Sequence, residues 1–299
     1  MPDGSIEHRV LAGPAVGAAD FTYHRPGDPL EVDALLARYA GEARVLAGGT
    51  DLLVQIRSAA RRPAHVVDIA DLSAAGGVRF DGVQLRVGAA TQLWELDAHP
   101  VVREHFAALR DGVRCVGSLQ IQNRATLVGN LCNASPAADT GPALLVYDAA
   151  VGVRSVRGSR EVPLADFWLA PGRTALQPDE WGEHVTLRDP GHHGSAHVKL
   201  GRTRGVDLAL VGVAAVVTSA GVRVAGASLA PTVRRLAAVE ALLSADVAAG
   251  RDETAAAVAA DVSPISDLRA GARYRLAMAG VCVRRAHETA SRRREERSA

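Results

Sequence analysis

The 299-residue chain is poor in cysteine, nearly without lysine, and has no long apolar run. Its three cysteines, Cys115, Cys132 and Cys282, are an odd set with no CxxC pair. They offer neither a disulfide framework nor a zinc or iron–sulfur site. Hydrophobic residues make up 48% of the chain, but no uninterrupted stretch reaches bilayer length, which excludes a transmembrane helix. The N-terminal MPDGSIEHRV carries charge where a signal peptide needs an apolar core, so a cytoplasmic location is expected. The net charge is +1, which gives no global field for nucleic acid or a membrane surface. Arginine almost entirely replaces lysine, leaving Lys199 as the one lysine, and the Ala, Gly and Val richness points to coding bias as the reason. P-loop, GxSxG, HExxH and GxGxxG motifs are all missing, which removes the usual nucleotide, hydrolase, zincin and Rossmann readings.

What the chain does have is two glycine-bearing segments about eighty residues apart, Arg44 to Arg57 (RVLAGGTDLLVQIR) and Ala125 to Val151 (ATLVGNLCNASPAADTGPALLVYDAAV). Each reads as an apolar run, a break at small residues and a helix-like stretch. Glycine removes the Cβ, so successive N–H groups can converge on an anion. In the first segment Ala47-Gly48-Gly49-Thr50-Asp51 reads either as a diphosphate cradle or as an ordinary strand-to-helix turn capped by Thr50 or Asp51. In the second, Thr126-Leu127-Val128-Gly129-Asn130 supplies two polar side chains and a close-approach glycine. Ser135-Pro136 then forces a turn, and Asp139 offers a carboxylate suited to vicinal hydroxyls. The alternative is a buried turn in which Asn130 satisfies its own backbone and Asp139 caps the helix of Leu144 and Leu145.

Around these segments strand and helix mix without regular alternation, so the fold class is α+β. A short strand at Phe21 precedes a helix with apolar positions at Leu30, Val32, Leu35, Leu36 and Tyr39; strands follow at Arg44–Leu46 and Ala64–Asp71. Asp81-Gly82 marks a hairpin between Val78–Phe80 and Gln84–Val87. Helices are expected near 91–96 and 101–111, a second hairpin over 151–160, and a strand at 185–187. The breaker cluster 189–194 is the best boundary. Beyond it come three strand-like runs, 196–200, 208–218 and 222–229, and two helices, 233–243 and 267 to about 293, the latter capped by Ser266 or Asp267. Arg292, Arg293 and Arg294 suit the negative pole of that helix and are expected to be solvated. His192, His193 and His197 sit in a glycine-flanked stretch without nearby ligands and are expected in solvent rather than on a metal.

Together AGGTDL and NRATLVGNLCNASPAADTGPALL resemble the FAD-binding medium subunit of the molybdenum hydroxylases, the xanthine dehydrogenase and carbon monoxide dehydrogenase group. FTYHRPGDPLE, LRVGAATQLWEL, HVKLGRTRGVDLALVGVAAVV and SPISDLRAGARYRLAMAGVCVRRA extend the resemblance over residues 20 to 290. It implies a two-subdomain FAD-binding fold of the vanillyl-alcohol oxidase type, residues 18–76 and 77–190. A C-terminal unit, 195–291, with a three-stranded antiparallel sheet and helices would follow, between loose tails at 1–17 and 292–299. It further implies a non-covalent FAD held by two phosphate loops, Leu46, Ala47, Gly48, Gly49, Thr50, Asp51, Leu52 and Leu53 in the first and Thr126, Leu127, Val128, Gly129 and Asn130 in the second. Ser135 and Asp139 would serve the cofactor's hydroxyls. Lys199 matches a lysine that approaches the flavin region, with a surface lysine as the alternative.

Three departures stand out. Val128 places a β-branched residue where glycine or alanine is usual, which weakens FAD binding if the position needs a positive φ. Gln122 replaces an arginine, and Trp181 replaces an aliphatic residue near the flavin, either to stack on the isoalloxazine or to fill the core. The resemblance implies electron transfer from [2Fe–2S] clusters on a small subunit, themselves reduced by a large molybdopterin subunit, through FAD to NAD or another acceptor. A flavin-free scaffold that lost FAD through Val128, and a self-sufficient flavin oxidoreductase, are the rival readings.

Overall fold

The computed structural model describes residues 8–9, 20–203, 205–246 and 249–298. The expected loose N-terminal tail lies outside these residues except for β1 (His8–Arg9), which pairs antiparallel with β2 (Thr22–His24).

Asp28 caps α1 (Pro29–Arg38): its carboxylate accepts from Leu30 and Glu31 N–H, and Pro29 occupies the first turn where no donor is lost. β3 (Ala43–Leu46), α2 (Leu52–Arg57) and β4 (His65–Asp68) complete a four-stranded sheet ordered β1-β2-β4-β3, whose β2–β4 and β3–β4 pairs are parallel. The Asp81-Gly82 hairpin joins β5 (Val78–Phe80) to β6 (Gln84–Gly88), with Gly82 at φ +95°.

A helical stretch follows: α3 (Leu93–Ala98), α4 (Pro100–His105), α5 (Ala107–Arg114), α6 (Leu119–Gln122), α7 (Leu127–Cys132) and α8 (Gly141–Val146). The single helix expected over 101–111 is two, because Phe106 leaves helical geometry (φ −124°, ψ 52°) and buries its ring in the core. β7 (Ala150–Ser155) and β8 (Gly158–Pro163) form the second expected hairpin, then come α9 (Leu164–Phe167) and the small pair β9 (Trp168–Ala170) and β10 (Arg173–Thr174). β11 (Trp181–Arg188) starts four residues earlier than expected and joins an antiparallel sheet ordered β5-β6-β11-β7-β8.

The C-terminal sheet has four strands rather than the expected three: β12 (Gly194–Leu200), β13 (Val211–Thr218), β14 (Gly221–Ala227) and β15 (Arg234–Arg235). The fourth is two arginines paired to Ala225 and Gly226, too short and too polar to carry a strand pattern. α10 (Ala237–Ala245), α11 (Arg251–Asp261) and α12 (Ala272–Glu296) close the chain. The last helix begins at Gly271 rather than Ser266 or Asp267, although Ser266 Oγ still accepts from Ala272 N–H at 2.9 Å. It runs through the arginine cluster, so 292–296 are helix and not tail.

Both faces of this sheet are covered. Val211, Val213, Ala215 and Val217 of β13 belong to a core shared with α10 to α12, while Ala214 and Val216 belong to the large core of the preceding units. Side chains alternate across a strand, so one strand feeds two cores.

Candidate functional site

A cleft of about 860 Å³ opens between the first sheet, the α6–α8 region and the loop after β12. Its size suits a large organic cofactor. Ala47, Gly48, Gly49, Thr50, Asp51 and Leu52 of the first glycine segment line it, as do Thr126, Val128, Gly129, Asn130, Ser135, Asp139 and Trp181. Leu46, Leu53, Leu127 and Lys199 do not line it; Leu127 is buried in the core and Leu53 is exposed.

The first loop connects β3 to α2. Gly49 takes φ +74°, which only glycine adopts without strain, and turns the chain there. Among the described residues no group accepts from the backbone N–H of Gly48, Gly49, Thr50 or Asp51. Asp51 precedes α2 without making a side-chain cap, and Thr50 makes none either. A run of uncommitted N–H groups on a concave wall has the chemistry of an anion cradle. Gly48 serves a different need: a Cβ there would collide with the Arg124 carbonyl and lie 2.8 Å from Ala125 Cα. The two loops are therefore in backbone contact.

In the second loop Thr126 caps α7, its Oγ1 accepting from Gly129 N–H at 3.1 Å. Asn130 Oδ1 accepts from the buried Thr140 hydroxyl at 2.7 Å, which leaves its NH₂ for the cleft. Ser135 Oγ accepts from Ala137 N–H at 3.2 Å and holds the turn. Val128 stands inside α7 and is absent from the positive-φ residues. Its β-branch is compatible with the backbone, and its side chain packs where Gly182 leaves room.

Asp139 does not cap α8; Thr140 precedes that helix and makes no side-chain cap. Instead Asp139 Oδ2 accepts from Lys199 Nζ at 2.7 Å, and the same ammonium donates to the Cys115 carbonyl at 2.9 Å. The other carboxylate oxygen, Oδ1, is buried without any hydrogen-bond partner. Burial pushes the Asp139 carboxyl up to about 6, against the opposing pull of Lys199. A buried acceptor left open in a cleft wall is one a ligand donor satisfies on binding. Lys199 is thus a half-buried partner of the wall, not a free surface lysine.

Trp181 is 1% exposed, and its indole N–H donates to Asp33 Oδ1 at 2.8 Å. The ring is a core tryptophan that also contributes to the cleft wall. Behind it Arg154 bridges Asp33 (2.8 Å) and Glu183 (3.1 Å), and His184 contacts Glu183 (3.2 Å) and Glu161 (2.8 Å). His184 and Arg154 together hold Glu183 down at about 2. Gln122 is also structural, since its amide donates to the carbonyls of Arg114 and Val116 and ties off the end of α5.

The histidine expectation is corrected. His192 is exposed, but His193 and His197 are buried, His197 with neither ring nitrogen partnered. Burial drives the His197 imidazole down to about 4, so it is neutral. Of the flanking glycines, Gly191 serves a turn at φ +79°, whereas Gly194 is there for packing, because a Cβ on it would strike Ala290 and Arg294 of α12. Arg293 is likewise not simply solvated, donating to Asp111 (2.6 Å) and the Ser195 carbonyl (2.8 Å). Among the described residues no cluster of metal-ligating side chains occurs and no helix is long and apolar enough to cross a membrane.

A cleft with two apposed glycine loops, open N–H donors and an unsatisfied carboxylate oxygen has the chemistry of a binding unit for a large cofactor that carries phosphate and hydroxyl groups. The comparisons with known proteins agree. Residues 19–187 match the family model described as the FAD binding domain in molybdopterin dehydrogenase, and residues 196–290 match the CO dehydrogenase flavoprotein C-terminal domain. The chain is 36% identical over 198 residues to a putative xanthine dehydrogenase FAD-binding subunit of Escherichia coli, covering 65% of this chain and 67% of that one. It is 32% identical over 276 residues to the carbon monoxide dehydrogenase medium chain of Hydrogenophaga pseudoflava, covering 89% and 95%. The solved carbon monoxide dehydrogenase from that organism superposes with a TM-score of 0.85 at 30% identity, covering 91% of this chain and 98% of that one. The chain belongs to the FAD-binding subunits of the molybdenum hydroxylases and is an oxidoreductase component.

Proposed function

We propose that this chain holds a non-covalent FAD in the cleft and relays electrons through it from iron–sulfur clusters on a small partner subunit. A large molybdopterin subunit would reduce those clusters, and NAD or another carrier would accept the electrons. The observation that carries the reading is the unpartnered Oδ1 of Asp139, on the same cleft wall as a loop with four uncommitted backbone N–H groups. These are complementary chemistries, acceptor for hydroxyl and donor for diphosphate, held on one surface.

The residues present fit the cofactor. The N–H groups of Gly48 to Asp51 would hold the diphosphate, each charge-assisted bond contributing about 1.5–3 kcal/mol. Asn130 Nδ2 would donate to phosphate or sugar, and Asp139 Oδ1 would accept from a hydroxyl. Lys199 opposes the burial that raises the Asp139 pKa and occupies Oδ2, so that Oδ1 is the oxygen left for a ligand. Bound FAD would supply the redox chemistry, taking up and releasing reducing equivalents. The protein's part is to orient it, to surround it with apolar walls such as Val128 and Ile121, and to set the local charge.

Val128 gives no ground for a flavin-free scaffold, since it sits in helix with ordinary backbone geometry. The measurement that tests the proposal is the visible absorption spectrum of the purified chain, with and without added FAD. Flavin bands, with FAD released on denaturation, are the expected result. Absence of flavin bands with excess FAD, for the chain alone and for the assembled complex, would overturn it.

A further inference from the structure

Three short helices beside the cleft expose what a helix ordinarily buries. In α6 the residue turned inward is Gln122, whose amide is held by the carbonyls of Arg114 and Val116, while Leu119 and Ile121 face outward. Those two hydrogen bonds hold the roll of the helix and keep its apolar side out. α2 buries Ile56 and leaves Leu53 and Val54 outside. On α3 Trp94 stands out as well, its indole N–H already donating to Gln92 Oε1 at 2.7 Å. These five side chains are 37–74% exposed. A helix of a lone globular chain turns its apolar stripe to the core, and a group of such stripes turned to water marks an interaction site.

Backbone contacts bring the three helices together. Gly48, in the loop that leads into α2, abuts the carbonyl of Arg124 just after α6. Leu93 N–H donates to the Ala125 carbonyl at 2.9 Å, which seats α3 against the same turn. Arg57 shares a face of α2 with Leu53 and Val54 by helical spacing. Arg57 and Arg124 are both exposed, and among the described residues neither has a carboxylate within ion-pair distance. The acids of α3 are committed: Glu95 Oε1 accepts from Gln92 N–H at 2.8 Å, and Asp97 pairs with Arg110 at 2.9 Å. Asp51, at the start of α2, lines the cleft instead. An apolar centre with a tryptophan and unpaired arginines beside it is the composition of a protein–protein interface.

We propose that this face of α2, α3 and α6 is where the small iron–sulfur subunit docks, and that the subunit meets it with an apolar patch rimmed by carboxylates. This rests on the electron-relay reading above, which supplies the partner. The charge sets the partner's chemistry: two arginines without acids of their own are complemented by acidic side chains opposite. A second copy of this chain would set the same arginines against each other, a like-charge contact that disfavours self-association. The place suits the task as well. α2 begins at the first glycine loop and Ile121 lines the cleft, so a protein seated here covers the rim beside the cofactor.

The test is purification of the tagged full chain as its assembled complex from the cells that make it, with iron and flavin measured together and cross-linked peptides mapped by mass spectrometry. Wild type is expected to carry iron, with cross-links from the iron-bearing chain to α2 or α6. Leu119→Asp is expected to bind the iron–sulfur subunit recovered from that complex at least about tenfold more weakly, as is the double variant Arg57→Gln, Arg124→Gln. The double variant should also lose most of the salt dependence of association. Flavin content and melting temperature should stay at wild-type values, because none of these side chains lines the cleft. Val156→Asp, at an equally exposed site in the β7–β8 turn, should keep its iron. Wild-type iron in Leu119→Asp, cross-links confined to α10–α12, or a wild type without iron would each overturn the proposal. So would a dimer of the isolated chain that Leu119→Asp dissociates. A wild type with iron but no flavin fails the cofactor reading, and the docking face is still judged by its iron.

Discussion

Replacing Gly48 by alanine tests whether the two loops work as one device. Gly48 is the point where the first loop touches the second, and an added Cβ would lie 2.7 Å from the Arg124 carbonyl carbon and 2.8 Å from Ala125 Cα. Carbon atoms pack at about 3.5–4.0 Å, so the loops must part by about 1 Å. Neither neighbour is a side-chain tip that could swing away; both are backbone. Overpacking of this kind costs about 1–3 kcal/mol. In melting temperature that is about 2–4 °C per kcal/mol for a chain of this size class. The effect on FAD should be larger than the effect on stability, because a 1 Å shift takes N–H groups out of hydrogen-bond range together. Losing two of them at about 1.5 kcal/mol each lowers affinity about a hundredfold. Gly76→Ala is the matched control, since its nearest neighbour would stand at 3.7 Å and its φ is −101°. Flavin fluorescence titration and a thermal melt read the two effects. Gly48→Ala with wild-type FAD affinity and melting temperature would refute the claim that loop contact sets the cradle.

Other outcomes follow from the same geometry. The Asp139 carboxyl titrates near 6, so FAD affinity should fall as pH drops through that value, Asp139→Asn should flatten the profile, and Lys199→Met should move the inflection upward. A titration of dissociation constant against pH from 5 to 8 checks all three. The neutral His197 has its imidazole depressed from 6.5 to about 4, so folding stability falls as pH drops from 6.5 towards 4 and levels below. At pH 5 the linkage is worth about 2 kcal/mol, and His197→Phe should remove most of it in denaturant melts at pH 7 and pH 5. Asp33→Ala strips partners from both Arg154 and the Trp181 N–H and should cost about 2–4 kcal/mol by chemical denaturation, with Asp33→Asn recovering part.

The sequence made the cradle legible because glycine next to threonine after an apolar run is uncommon and has a backbone consequence. Asp139 was legible for the same reason, as a lone carboxylate in a small-residue stretch. Its partner choice was not: that Lys199 reaches it across sixty residues is a property of how β12 lies against α5. α11 escaped notice since its face is alanine and threonine, with Val258 as its one large buried side chain. His193 and His197 were misplaced because flanking glycines suggest a loop, whereas Gly194 is there so that β12 can press against α12.

The sheet of β12 to β15 is a party wall. With Val213 facing one core and Ala214 the other, it has no side of its own to show to water. The breaker cluster before it looks like a seam, yet Ser195 meets Tyr147 (2.6 Å) and Ala108 N–H (3.1 Å), and Arg293 returns to Asp111. A polypeptide stopped at that seam loses Lys199 and leaves Asp139 as an unpaired buried charge in the cleft wall. It also bares the apolar flank that Ala214, Val216 and Ala225 had sealed. Evolution can shuffle such a unit only by carrying its neighbour along.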